Sequence, residues 1–103
     1  MMITEIVYLE HDNAIDLQLL ADGVAVSLAS VTRMDLKATT GEWAVSSTEA
    51  ADVFDWSAGN GKVTIALGLQ DIPPGRHSCR LVVFDQSNQN GIVWDGLKLL
   101  VKE

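Results

Sequence analysis

The sequence lacks several features that would place it in a familiar functional class. Its 103 residues include one cysteine, Cys79, which excludes a disulfide within the chain and fits a reducing compartment. They include 7 basic against 14 acidic side chains, a net charge of −7, whereas nucleic acids and anionic membranes are bound through basic patches. No apolar run approaches the roughly 18 residues of a membrane helix. We therefore expect neither a nucleic acid nor a membrane as partner.

The motifs of common catalytic and cofactor sites are also missing. There is no P-loop, no G-x-G-x-x-G, no G-x-S-x-G and no zinc-type spacing of Cys and His. Asp12, Asn13 and Asp16 resemble calcium ligands, but EF-hand spacing is absent and turn formation explains them. His77 and Cys79 share a strand face about 7 Å apart, too far for proton transfer, and free cysteines are usually buried. We expect no catalytic residues, no metal and no cofactor.

The dominant pattern in the sequence is a period of two, the signature of half-buried strands. Four runs alternate apolar and polar side chains: Ala14–Leu20, Arg33–Ala38, Lys62–Leu67 and Leu97–Lys102. Two further runs, Ile3–Leu9 and Cys79–Phe84, are apolar on both faces. Such runs indicate central strands, or strands whose second face is covered by a partner.

Turn residues separate these runs. Asp22-Gly23 and Asn60-Gly61 are hairpin signals, Pro73-Pro74-Gly75 precedes the Arg76–Asp85 run, and Asn88–Gly91 opens a last hairpin. Short strands at near-regular spacing predict an all-β fold. We expect an immunoglobulin-like antiparallel β-sandwich of about seven strands that forms a single domain over residues 1–103.

Four aromatic residues are candidates for an interface: Trp43, Phe54, Trp56 and Trp94. Exposed in a row, they would stack on sugar rings as in carbohydrate-binding modules, or anchor a protein partner. Filling the core is the simpler interpretation for at least two of the three tryptophans. A hydrolase that pairs His77 with an aspartate is a third hypothesis.

Charge patterning adds two expectations. Arg33, Asp35 and Lys37 alternate in sign, as on a solvated strand face. With a net charge of −7, a docking surface is expected to be acidic or an uncharged sheet edge. The runs Ile3–Leu9 and Leu97–Lys102 are the expected edges, where a partner strand could add to the sheet.

Three segments resemble a known family of phage proteins. Residues 22–36 read DGVAVSLASVTRMDL, residues 62–85 read KVTIALGLQDIPPGRHSCRLVVFD, and residues 91–103 read GIVWDGLKLLVKE. This order is similar to the N-terminal domains of phage baseplate upper proteins and related small proteins of tailed phages and prophages. Two positions depart from the family pattern: His77 replaces a tyrosine after Pro-Gly, and Ser27 replaces an aspartate.

The resemblance implies a β-sandwich that assembles a tail or baseplate, with no catalytic residues. Other virion proteins are then the expected partners, with a homo-oligomer also expected. The first residues, MMITEIVYLEHD, lack the basic start and apolar core of a signal peptide, so assembly in the bacterial host cytoplasm is expected. The alternative function is a carbohydrate-binding β-sandwich module that uses exposed tryptophans.

Overall fold

The computed structural model describes residues 3–103 and is all-β apart from one turn of 3-10 helix at Ala51–Val53. The strands, numbered in chain order, are β1 (Ile3–Tyr8), β2 (Ile15–Gln18), β3 (Leu20–Ala21), β4 (Val24–Ala25), β5 (Val31–Ala38), β6 (Ala44–Ser46), β7 (Phe54–Asp55), β8 (Lys62–Ile65), β9 (Gly75–Asp85) and β10 (Ile92–Lys102). Within the described residues no helix is long and apolar enough to cross a membrane.

The strands form three sheets. The largest has five strands in the order β1-β10-β9-β5-β6, in which β1 runs parallel to β10 and every other pair is antiparallel. A three-stranded antiparallel sheet has the order β2-β8-β7, and β3 and β4 form a two-stranded hairpin. The two long strands β9 and β10 form the centre of the five-stranded sheet.

The turn residues act as the sequence predicts. Asp22 and Gly23 take positive φ angles of 53° and 78° between β3 and β4, the conformation of a two-residue hairpin. Gly59, Asn60 and Gly61 also take positive φ angles between β7 and β8. The strand β9 begins at Gly75, directly after the two prolines. These local signals were sufficient because each turn conformation favours only a few residue types.

One buried apolar cluster lies between the five-stranded and three-stranded sheets. Alternate residues of β5, β9, β10, β2 and β8 supply it, so each strand buries one face. The largest side chains below 2% exposure are Ile15, Met34, Leu36, Ile65, Leu67, Leu81, Leu99, Val7, Val63 and Cys79. Burial of these side chains supplies most of the favourable free energy of folding.

Three expectations need correction. The described residues form ten strands in place of about seven, because β3, β4, β6 and β7 are two or three residues long and too short to show a period. The larger sheet is mixed, since β1 pairs in parallel with β10. Leu97–Lys102 is an internal segment, paired on both sides, so of the two expected edges Ile3–Leu9 alone is an edge strand. No turn joins β1 to β10, so local patterns carry no trace of this pairing.

We predict that Gly61→Ala destabilises the fold more than the matched change Gly59→Ala. Both glycines have positive φ angles, 72° and 80°, so each alanine costs about 1–2 kcal/mol of backbone strain. A Cβ at Gly61 would also lie 2.5 Å from the carbonyl oxygen of Leu19, whereas a Cβ at Gly59 meets no atom within 4 Å. The clash adds roughly 1–3 kcal/mol. Urea unfolding of both variants measures the difference, and equal losses would contradict the predicted clash.

Candidate interaction surface

The five-stranded sheet presents one of its two faces to solvent. Strand alternation directs one set of side chains into the core and the other set away from it. We call the surface made by the second set the outer face. Its members are Thr4, Ile6, Tyr8, Arg33, Asp35, Lys37, Ala44, Ser46, Arg76, Ser78, Arg80, Val82, Phe84, Val93, Lys98, Leu100 and Lys102. No other described element of the chain forms a layer on this face, so it is the largest sheet surface open to a partner.

Most basic residues of the chain lie on the outer face. Six of the seven are there, namely Arg33, Lys37, Arg76, Arg80, Lys98 and Lys102, and Lys62 is the exception. Asp35 is the one carboxylate among the outer-face positions. Asp95 borders the face in the bulge of β10, where its Oδ1 accepts a hydrogen bond from the backbone N–H of Gly96. The face is therefore cationic on a strongly acidic chain.

Arg33 and Asp35 form a local ion pair at one end of this face. The guanidinium of Arg33 donates to both carboxylate oxygens at 3.0 and 2.6 Å and lies 4.2 Å from the ring centre of Phe84. Burial acts to raise the pKa of Asp35, but hydrogen bonds from Arg33 and Ser46 and nearby cations outweigh it, so the pKa is lowered. Asp35 is 4% exposed, which corrects the expected solvated strand face at that position.

A shallow depression lies on the cationic half of the outer face. It has a volume of about 420 Å³, and Thr4, Arg76, Ser78 and Lys98 are among its lining residues. The ammonium of Lys98 donates to the Ser78 hydroxyl oxygen at 2.9 Å, which leaves the serine O–H free to donate. Two cations and two hydroxyl groups around one hollow are suited to an anionic group such as a carboxylate.

The outer face is also partly apolar. Ile6 and Tyr8 on β1 are 43% and 45% exposed, and Val93 on β10 is 51% exposed. Gly91 packs directly against the side chains of Val82 and Phe84, so a Cβ at this position would overlap both. Exposed apolar and aromatic groups beside arginines are typical of protein interfaces. The two apolar faces seen in Ile3–Leu9 thus correspond to one buried and one exposed face.

Strand β1 leaves part of its backbone unpaired. The Leu9 N–H donates to the backbone carbonyl oxygen of Lys102 on β10. The Tyr8 backbone faces away from β10: its N–H donates to Asn13 Oδ1 at 3.2 Å, and its carbonyl oxygen accepts from Asn13 Nδ2 at 2.6 Å. Because the direction alternates along a strand, the N–H and C=O of Ile6 and Thr4 also point away from β10. Asn13 therefore closes one end of the edge and leaves the other end open to a partner strand.

The four aromatic candidates do not form one exposed row. Trp43 and Phe54 are buried, at 8% and 6% exposure, while Trp56 and Trp94 are half-buried against the core. Trp94 borders a cleft of about 330 Å³ between β2 and β10 and its indole N–H points to the Leu20 carbonyl at 3.5 Å. The structure therefore leaves Trp94 and Trp56 with surface available to a ligand.

His77 and Cys79 both face inward and have structural neighbours. The Trp43 indole N–H donates to His77 Nδ1 at 3.2 Å, and His77 Nε2 lies 2.7 Å from the Pro73 carbonyl oxygen. These contacts match a neutral ring that donates through Nε2. Burial raises the pKa of the Cys79 thiol to about 11, so the thiol stays protonated near neutral pH.

Asn13 and Asp16, which resemble calcium ligands in the sequence, make hydrogen bonds within the fold. Asn13 binds the Tyr8 backbone, and the Asp16 carboxylate accepts a hydrogen bond from the Thr64 hydroxyl at 2.8 Å. Within residues 3–103 there is no group of three or more His, Cys, Asp or Glu side chains that could hold a metal ion.

The outer face was not among the features expected from the sequence. Its cations come from three strands, and only the pairing of β5, β9 and β10 brings them onto one surface. A signal was present: Arg76, Arg80, Lys98 and Lys102 alternate in phase with buried neighbours. The net charge of −7 led instead to the expectation of an acidic or uncharged docking surface.

Comparison with protein-family models, with curated proteins and with solved structures finds no match to this chain.

We predict that Cys79 makes stability fall in alkaline solution. Its pKa is about 11 when folded against an ordinary 9.0, so the unfolded chain loses the proton first. The free energy of unfolding is unaffected below pH 9 and falls by about 2–3 kcal/mol as pH rises towards 11. Urea unfolding across this range measures the fall. Cys79→Ala is the control that removes this contribution, and parallel pH profiles for both proteins would contradict the prediction.

Proposed function

We propose that this chain is a non-enzymatic virion component of a phage or prophage, a tail, baseplate or fibre-attachment protein that acts through protein–protein contacts. The family resemblance of residues 22–36, 62–85 and 91–103 supports the virion assignment. The open edge of β1 beside the apolar part of the outer face supports contact with other proteins. Other virion proteins and further copies of this chain are the proposed partners, with assembly in the host cytoplasm.

We further propose that the two larger sheets form an immunoglobulin-like sandwich. Two features support this architecture. The order β2-β8-β7 in one sheet and β5-β9-β10 within the other corresponds to the sheet composition of immunoglobulin domains, and one buried cluster lies between the sheets. The added strands β6 and β1 extend the second sheet on either side. Such sandwiches serve many functions, so the fold alone does not select one.

The unpaired edge of β1 is the observation that carries the proposed contact. Backbone N–H and C=O groups at Ile6 are free to pair with an added strand. The exposed side chains of Ile6 and Tyr8 would add apolar contacts next to that pairing. At the other end of the sheet β6 has three residues and offers a shorter edge. Strand addition at β1 therefore has both backbone and side-chain support.

We predict that Ile6→Pro strongly weakens binding of the chain to other structural proteins and leaves the fold intact. The Ile6 N–H points away from β10, so proline removes no hydrogen bond of the sheet, and proline is tolerated at such edge positions. It does remove the donor that an added strand needs. Native mass spectrometry of the protein mixed with structural proteins encoded by neighbouring genes should show complexes with wild type and at least about tenfold less complex with Ile6→Pro.

The matched control is Ile6→Ala, which shortens the same side chain and keeps the N–H. It should retain most of the complex, and circular dichroism should show both variants folded. Complexes that survive Ile6→Pro would show that β1 is not the contact. A wild-type protein that binds none of the structural proteins would overturn the proposed function.

Carbohydrate binding is the second candidate function, and the cleft beside Trp94 is the observation that favours it. A half-buried indole borders a cleft whose polar groups come from Gln18 and Asp95. Such a cleft is suited to one sugar ring stacked on the indole. Under this function, glycan-array binding should appear with wild type and be lost with Trp94→Ala, while Trp56→Ala retains it. An array with no bound glycan would remove this candidate.

A further inference from the structure

The structure collects most basic side chains of the chain on one surface. The outer face holds six of the 7 basic side chains, and 13 of the 14 acidic side chains lie at other positions. A chain of net charge −7 thus carries a cationic surface and a strongly anionic remainder. Such separation produces attraction between unlike surfaces of two molecules and repulsion between like ones.

The cationic surface is unfavourable in the isolated molecule. Lys37 and Arg80 lie directly opposite each other on β5 and β9, an arrangement of like charges that destabilises a sheet. Within residues 3–103 the one ion pair is Arg33–Asp35, so the remaining five outer-face cations have no carboxylate within 4 Å. The Nε of Arg80 is buried and has no hydrogen-bond partner. An anionic partner surface would offset the repulsion between Lys37 and Arg80.

The shallow depression around Arg76 and Lys98 is the part of the outer face best suited to bind acidic side chains of this partner. It lies between β1, β9 and β10, with the Ser78 and Thr4 hydroxyl groups at its lining. Carboxylates of a partner would receive charge-assisted hydrogen bonds there. The exposed Ile6 and Tyr8 side chains on β1 adjoin this region and would exclude water from its rim.

The same chain carries a matching acidic surface on its other sheet. Asp16 and Asp55 lie on either side of Thr64 on the solvent side of the three-stranded sheet, and both are exposed. Asp12 and Asp52 line a neighbouring cleft. We call these four residues the acidic patch. The buried cluster separates the three-stranded from the five-stranded sheet, so Asp16 and Asp55 lie on the side of the molecule opposite the outer face.

We propose that copies of this chain associate head to tail, with the outer face of one copy docked on the acidic patch of the next. This inference rests on the proposed assembly function and names a second copy as the partner of the cationic surface. Two outer faces would repel each other, so the contact is between unlike surfaces. Contacts of that kind build rings or open filaments, according to the rotation between copies.

Sedimentation velocity at two salt concentrations tests the association. At about 20 mM salt we expect masses of several copies, and at about 500 mM salt, where screening is strong, we expect mainly single copies. Lys98→Glu should reduce association at low salt by about tenfold or more. Lys62→Glu makes the same charge change on the solvent side of the three-stranded sheet, in phase with Thr64 and beside the acidic patch, so it should strengthen association.

A charge exchange distinguishes docking from general charge effects. Arg80→Glu with Lys98→Glu reverses the outer face, and Asp16→Lys with Asp55→Lys reverses the acidic patch. Each double variant alone should sediment as single copies. An equal mixture should associate again, because each reversed surface meets a complementary one. Circular dichroism and thermal melting of each variant verify that it is folded.

Three outcomes would overturn the inference. Wild type could remain a single copy at low salt, Lys98→Glu could associate as wild type does, or the mixture could fail to associate although both variants are folded. A single-copy protein that binds a single-stranded DNA oligonucleotide through Lys98 would identify the outer face as a polyanion site instead. A single-copy protein that still forms complexes with neighbouring structural proteins would overturn head-to-tail docking and leave the proposed function standing.

Discussion

The pairing of β9 with β10 is the constraint on which the rest of the structure depends. These two eleven-residue strands lie at the centre of the five-stranded sheet, and β1 and β5 pair with their outer sides. Because side chains alternate with a period of two, one register decides which residues enter the core. Leu81 and Leu99 thereby face inward, while Arg80 and Lys98 face outward. A shift by one residue would place cations in the core.

A bulge in β10 divides the strand into two segments that both pair with β9. The register changes between Trp94 and Leu97, and Gly96 takes a φ angle of 91° there. One extra residue in β10 shifts the phase of the strand, so that Trp94 before the bulge and Leu97 after it both pack against the core. The cationic half of the outer face begins beyond this point. Core packing and surface charge are consequently set by the same strand geometry.

Much of the fold was predictable because its signals are local. Hairpins at Asp22-Gly23 and Asn60-Gly61, and the strand that follows Pro73-Pro74-Gly75, depend on a few adjacent residues. The burial of Cys79 was predictable from its apolar neighbours. The parallel partner of β1 was not, since it lies at the far end of the chain. Two-residue strands such as β7 are likewise defined by their pairing and not by a pattern.

The candidate surface was less predictable than the fold. The tryptophans drew attention as single residues, yet burial depends on neighbours distant in sequence, as the contact between Trp43 and His77 shows. Asp35 was expected in solvent, but it is buried, and the position of Arg33 over the Phe84 ring depends on β9, a strand distant in sequence. The outer face needs three strands in register before its charges meet. The amino-acid composition does not show which strands are neighbours, so it does not predict this cationic surface.

From the sequence come the all-β class, the hairpin turns, the acidic balance and the alternation that marks the core face of several strands. These properties follow from residue types and from spacings of a few positions, where backbone geometry is the controlling factor. The three-dimensional fold brings six of the 7 basic side chains onto one surface and places β1 at the end of the sheet with an open edge. Both depend on which strands become neighbours, and that choice is made by the packing of the whole core.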